Sequence, residues 1–224
     1  MKRSRFLVCG LGNFGSRIAR RLFENGHEVI AIDLDEKKIR EAKDYVSEAI
    51  VADVSEREAL DQLGLDAIDA AVISLGEERI DASVLATLHL RDIGIKRIIV
   101  KTISPDHARI VEKIGATEVI FPEKEAAFRL ADRLSNPHVF EQINLHEGYA
   151  LVEMMAPREL WDKTLTEAGV RSKYGITVVW INRKAPNGKE TSIVPRPEDT
   201  IVEGDVLFVL GEEKAVEAFK KLKT

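Results

Sequence analysis

Apolar residues come in short, nearly unbroken runs along the first half of the chain, separated by stretches whose apolar positions recur three or four apart. The runs RFLVC from Arg5, HEVIAID from His27, EAIVAD from Glu48, AAVISL from Ala70, RIIVK from Arg97 and EVIF from Glu118 each read as a strand. Runs rich in Val, Ile and Ala imply strands buried on both faces, as in a parallel sheet clothed by helices, with right-handed crossovers. The pattern predicts an α/β fold, a doubly wound parallel sheet of about six strands. Turn chemistry agrees with the period: Asn25 with Gly26, then Gly94, then Gly115 each close a helical stretch just ahead of a strand.

The rhythm changes after Phe121. A helix beginning near Pro122 meets Asn136 and Pro137, which break it before a short further helical stretch. The lobe boundary is expected there, with residues 1–135 as the sheet lobe, 136–144 as a linker and 145–224 as a second, smaller α+β lobe. In that lobe YALVEMMA, ITVVWINR, TSIVP and GDVLFVLG predict strands, TLTEAGVRSKYG a short helix and EEKAVEAFKKLK a closing helix. Asn187-Gly188 between two β-type runs is a hairpin signal, because both residues tolerate positive φ.

Gly10, Gly12 and Gly15 form G-x-G-x-x-G between the first strand and the first helix. The first glycine permits the tight turn, the second lets backbone approach a pyrophosphate, and the third lets helix and strand pack closely. The amides at the helix start then face the anion. An acid about 20 residues on completes the pattern of a Rossmann-type nucleotide site. Asp33 is that acid: at the end of the second strand it accepts from ribose hydroxyls and repels a 2′-phosphate, which disfavours NADP. Asp35 either adds to that repulsion or caps the next helix. Open α/β sheets bind ligands at strand carboxyl ends, which adds Asp53 with Val54, then Ser74 with Gly76, and Lys101. Asp53 could hold an adenine amino group or cap a helix, and Lys101 points into the crevice or into solvent.

Composition narrows the function. A formal net charge of -5 leaves no basic footprint for nucleic acid. No run approaches the roughly 18 apolar residues that a membrane span needs, and FLVCGLG is too interrupted for a signal sequence, so a cytoplasmic protein is expected. The single cysteine, Cys9, reads as a buried filler. His27, His89, His107, His138 and His146 have no metal-ligand spacing and no partnered carboxylate, so no catalytic residue is assigned. A binding module fits better than the alternative, a small NAD-dependent oxidoreductase. A Rossmann-type transcriptional regulator conflicts with the acidic balance.

GLGNFGS, IDLDE, VADVSE, ISLGEE with DASVLATL, VKTIS, KIGATEVIFPEKE, VRSKYGITVVWI and PEDTIVEGDVLFVLG together resemble the regulators of potassium conductance, the RCK or KTN proteins. Within them the chain is most similar to the cytosolic subunits of Ktr- and Trk-type potassium uptake systems. The resemblance spans nearly the whole chain. It implies a homo-oligomeric gating ring, dimers assembling to an octamer, at the inner face of the cell membrane beneath a membrane-embedded potassium-translocating subunit. The ring would respond to ATP, ADP or, alternatively, NAD or NADH. By resemblance Gly10, Leu11, Gly12, Phe14 and Gly15 line the phosphates, Asp33 meets the ribose, Asp53 the adenine and Lys101 the phosphates. Glu123 matches a glutamate that binds a cation, although an acid beside Pro122 also suits a helix start. Asn13 stands where Ktr-type members carry an arginine that reaches the terminal phosphate of ATP, so a charge-assisted contact is missing. In the second lobe Leu165, Arg171 and Pro197 match a cyclic di-AMP site, with Thr166 at a usually aliphatic position.

Overall fold

The computed structural model describes residues 3–145, 148–184, 188 and 190–223. The chain divides into two compact units, one up to Pro122 and one from Glu123 onward.

The first unit holds β1 (Arg5–Cys9), β2 (Glu28–Asp33), β3 (Glu48–Val51), β4 (Ala70–Ile73), β5 (Ile98–Lys101) and β6 (Glu118–Ile120). They pair in parallel in the order β3-β2-β1-β4-β5-β6. Its helices are α1 (Asn13–Glu24), α2 (Glu36–Ala42), α3 (Arg57–Asp61), α4 (Ile80–Ile93) and α5 (Pro105–Ile114). Alternate strand residues face opposite cores, as a period of two requires. Leu7, Ile30, Ile32 and Ile98 pack with Leu90 of α4 and Val111 of α5. Val8, Val29 and Ala31 pack on the other side with Ala19 of α1 and with Ile39 and Ala42 of α2. Burial on both sides explains why these runs carry no polar alternation. Cys9 lies in the first of these cores, where burial pushes its thiol up to about 12 and keeps it protonated.

The second unit begins in α6 (Pro122–Ser135) and continues through β7 (Val139–Asn144), β8 (Tyr149–Met155) and β9 (Lys163–Thr164). Two short helices follow, α7 (Leu165–Ala168) and α8 (Val170–Tyr174), then β10 (Ile176–Lys184), β11 (Glu190–Ile193), β12 (Thr200–Ile201), β13 (Val206–Glu212) and α9 (Glu213–Phe219). Five strands form an antiparallel sheet in the order β11-β10-β13-β8-β7, and β9 pairs with β12 apart from it. Ala150, Val152, Met154, Leu207 and Val209 turn inward against Val170, Val216 and Phe219. Asp205, 0% exposed, accepts from Arg183 Nε and Nη2, each at 2.7 Å.

The sheet lobe matches its expectation strand for strand. The second lobe differs in three places, the first being that its compact unit begins at Glu123, so α6 belongs to it and not to the sheet lobe expected over 1–135. The linker and helical stretch expected over 136–144 are instead an edge strand, β7, paired with β8 from Val139 opposite Met154 to Asn144 opposite Ala150. Six residues are too few for periodicity to separate strand from helix, and the deciding ladder comes from a later segment. The single helix expected in TLTEAGVRSKYG is split by Gly169, which adopts φ 61°. β10 and β11 pair as a hairpin would, with Lys184 opposite Glu190, while Asn187 of the expected turn lies outside the described residues.

Candidate functional site

The strand order reverses between β1 and β4, and in open α/β sheets ligands bind at the carboxyl ends flanking such a point. Gly10 leaves β1 there, with its N–H donating to Ile32 O at 2.7 Å, and Ser74 leaves β4, donating to Cys9 O at 2.7 Å. Gly10 has φ 95°, and a Cβ on it would collide with the carbonyl oxygen of Ser74. A Cβ on Gly15 would collide with the carbonyl oxygen of Gly10, so helix and turn touch main chain to main chain. Gly12 has nothing within 4 Å of such a Cβ. Its bareness serves no packing inside the chain and leaves open space at the helix start. Gly12 is the N-cap of α1 with no side-chain cap, and the first turn of α1 contains no acid. The amides of that turn, which lack intrahelical acceptors, favour an anion.

Asp33, with its side chain 10% exposed, is held in place rather than loose. It accepts from the N–H of Leu11 at 2.6 Å and of Asp35 at 2.9 Å, and Lys38 Nζ lies 3.3 Å away. Asp35 in turn caps α2 by accepting from the N–H of Lys37 at 2.8 Å. Asp53 accepts from the N–H and hydroxyl of Ser55, at 2.9 and 2.6 Å, and from the guanidinium of Arg79 at 2.9 and 3.0 Å. Burial pushes the Asp53 carboxyl up, but the Ser55 hydrogen bonds and Arg79 outweigh it and hold the group below the ordinary carboxylate range. These residues border a crevice of about 520 Å³, whose walls carry Asp33, Asp35, Asp53, Glu77 and Glu78 against Lys38 and Arg79. Its floor is small or apolar: Gly10, Gly12, Ala52, Val54, Ser74 and Gly76.

Residues 6–122 match the TrkA-N domain model and residues 150–224 match the TrkA-C domain model. The chain belongs to the TrkA-domain family. It is 36% identical over 220 residues to Ktr system potassium uptake protein A of Bacillus subtilis, covering 98% of this chain and 97% of that protein. It is also 37% identical to Ktr system potassium uptake protein C of the same organism, covering 96% of each. Identity to Ktr system potassium uptake protein A of Vibrio alginolyticus is 34%, covering 97% of each. Among solved structures the GsuK RCK domain shares the fold, with TM-score 0.63 and 16% identity over 99% of this chain. The chain spans 48% of that GsuK chain. The GsuK channel bound to NAD matches with TM-score 0.56 and 22% identity, covering 99% of this chain and 39% of that one.

In this TrkA-domain protein Gly10, Gly12, Asp33, Asp35, Asp53, Val54, Ser74 and Gly76 come together around the crevice. Leu11 contributes its main-chain N–H to Asp33 while its side chain is buried. Phe14 and Gly15 lie in the first turn of α1, and Asn13 lines a neighbouring cavity on the outer side of that helix. Lys101 closes β5 and is not part of the crevice wall. Glu123, second residue of α6, belongs to the second unit. Among the described residues no group of three His, Cys, Asp or Glu side chains could hold a metal ion. In the second unit Leu165, Arg171 and Pro197 gather with Thr166 around a cavity of about 240 Å³. There the Thr166 hydroxyl donates to the Pro197 carbonyl at 2.9 Å, which ties the two segments together.

Sequence reasoning did not single out Lys38 or Arg79. Lys38, in α2, is five residues after Asp33 at the end of β2, a separation that could have drawn notice. Arg79 lies 26 residues from Asp53, and only the adjacency of β3- and β4-end loops in the crevice brings them together.

Proposed function

We propose that this chain is a nucleotide-binding regulatory subunit of a potassium uptake system. It holds ATP or ADP, or alternatively NAD or NADH, in the β1/β4 crevice and passes the state of that site to a membrane-embedded potassium translocator of Ktr or Trk type. The observation that carries the reading is Gly12: a bare main chain facing open space at a helix start, beside an anchored Asp33, in a chain 36% identical to a Ktr protein along nearly its whole length. Phosphates lie against Gly10, Gly12, Asn13, Phe14 and Gly15, the ribose hydroxyls against Asp33, and the adenine against Asp53 and Val54. Ser74 and Gly76 border the far end. Lys101 approaches the phosphates, Glu123 takes a cation, and Leu165, Arg171 and Pro197 take cyclic di-AMP.

The protein acts as a homo-oligomer, dimers forming an octameric ring at the inner face of the membrane. Exposed apolar side chains support self-association: α6 has no buried residue, and Phe128, Leu130 and Leu134 are 59%, 52% and 73% exposed. Among the described residues no helix is long and apolar enough to cross a membrane, so a translocating pore comes from a partner. The reading assigns no catalytic step. The two best-placed carboxylates, Asp33 and Asp53, are occupied by N–H and guanidinium donors, and the lowered pKa of Asp53 makes it a weak base.

Nucleotide exchange can switch such an assembly only if the two ring states differ in affinity for it. Thermal melting with ATP, ADP, NAD, NADH and cyclic di-AMP ranks the ligands, since one selective for the native state stabilises it by about 2.7 kcal/mol at 100 times its Kd. Solution scattering then compares the ATP, ADP and ligand-free forms. Superimposable curves would refute switching while leaving binding intact, and turnover of NADH with a hydride acceptor would refute the non-enzymatic assignment.

A further inference from the structure

We infer that the cavity on the outer side of α1 is a phosphate subsite, filled by a phosphate group carried by the nucleotide in the crevice. The inference rests on the nucleotide reading above and deepens it. The cavity, about 520 Å³, is bordered by Asn13, Ser16, Arg17, Arg20, Lys38 and Glu41, with Tyr45 beneath Arg20. Asn13, Arg17 and Arg20 recur at helical spacing and so share one face of α1.

Charge separates this space from its neighbour. Here three cations face one carboxylate, whereas five carboxylates face two cations in the crevice. The two spaces adjoin, since Gly12 and Lys38 border both. A nucleoside whose ribose rests on Asp33 therefore has its substituents next to the basic cavity.

The cations there are available to a ligand. The Arg17 side chain has no hydrogen-bond or ion-pair partner among the described residues. The Arg20 guanidinium lies 4.0 Å over the Tyr45 ring, a stacking that orients its plane without engaging its N–H donors. Lys38 touches Asp33 while 41% of its side chain stays exposed, and an ammonium has donors to spare for a second anion. That contact also offsets the charge by which Asp33 would repel a phosphate on the ribose, and the second acid expected to repel it, Asp35, is engaged in capping α2.

Two sources supply the same chemistry: the terminal phosphate of a nucleoside triphosphate, or a phosphomonoester on the ribose. Calorimetric titration of the full chain with ATP, ADP, NADPH and NADH separates them, in the native protein and in R17Q/R20Q. The readouts are the preferences for ATP over ADP and for NADPH over NADH. At least one is expected to fall about tenfold in the variant, as loss of charge-assisted contacts requires. A fall in the first marks the terminal phosphate, and a fall in the second the ribose phosphate. R17K/R20K should recover part of the loss, and R17Q alone serves if the double variant does not fold. Both preferences staying within about twofold of native would overturn the inference while nucleotide binding stands. If none of the four ligands binds the native protein, the nucleotide reading fails first and the subsite falls with it.

Discussion

Gly12→Ala separates the fold's need for a bare main chain from the ligand's. The added methyl meets no atom of the protein within 4 Å, and φ -68°, ψ -172° is open to any residue. Restricting the unfolded chain stabilises by about 0.4–1 kcal/mol. Alanine is a poorer N-cap than glycine by a similar amount, roughly 0.5–1 kcal/mol. The two nearly cancel, so the melting midpoint should stay within about 4 °C of native. Binding has no such compensation under the proposed function, in which the methyl would occupy the space a phosphate needs to reach the α1 amides. Losing one hydrogen bond to a charged group is worth about 1.5–3 kcal/mol, or roughly 10- to 100-fold in Kd. Scanning calorimetry reads the first quantity and titration calorimetry with ADP and NADH reads the second. Gly15→Ala is the contrasting variant, since its methyl must collide with the Gly10 carbonyl and lower the melting midpoint. A Gly12→Ala protein that melts like native and binds both ligands like native would refute the main-chain phosphate site.

Two further outcomes follow from groups outside the crevice. Arg183→Ala leaves Asp205, 0% exposed, without its bidentate partner, and should destabilise the second unit by about 3–5 kcal/mol in urea titration. A loss under about 1 kcal/mol, the value of a surface ion pair, would show that solvent reaches Asp205. His107 of α5 is 4% exposed, its Nε2 lies 3.2 Å from the Ser83 hydroxyl of α4, and burial holds its pKa below the usual imidazole value. The unfolded chain therefore takes up this proton first, and native stability declines as pH falls below about 6.5, down to the folded pKa. Urea midpoints between about pH 7 and 5 should be flatter for His107→Gln than for native protein, and parallel curves would rule out His107 as the source.

Legibility was uneven, and its limits follow the range of the interactions involved. In the sheet lobe the central strands β1, β2 and β4 are buried on both faces, so their identity is written in their own residues, and the glycine spacing from Gly10 to Gly15 encodes a local turn. Asp33 was legible because its distance from that turn follows from one strand, one helix and a second strand. β7 was not, because Val139–Asn144 becomes a strand only when β8 offers a ladder. Arg79 was missed because nothing near it in sequence marks a partner 26 residues away, and without it the charge state of Asp53 could not be judged.

The amino-acid sequence by itself determined the order of strands in the sheet lobe, the bare turn after β1 and the acid that follows, since these depend on patterns spanning a few residues to one βαβ unit. Only tertiary structure decided which charged groups neutralise one another and where cavities open. Lys38 on Asp33, Arg79 on Asp53, and the basic space beside an acidic one arise from loops meeting at the ends of neighbouring strands. Electrostatic pairing acts through space at a few ångströms, and chain order does not record that distance.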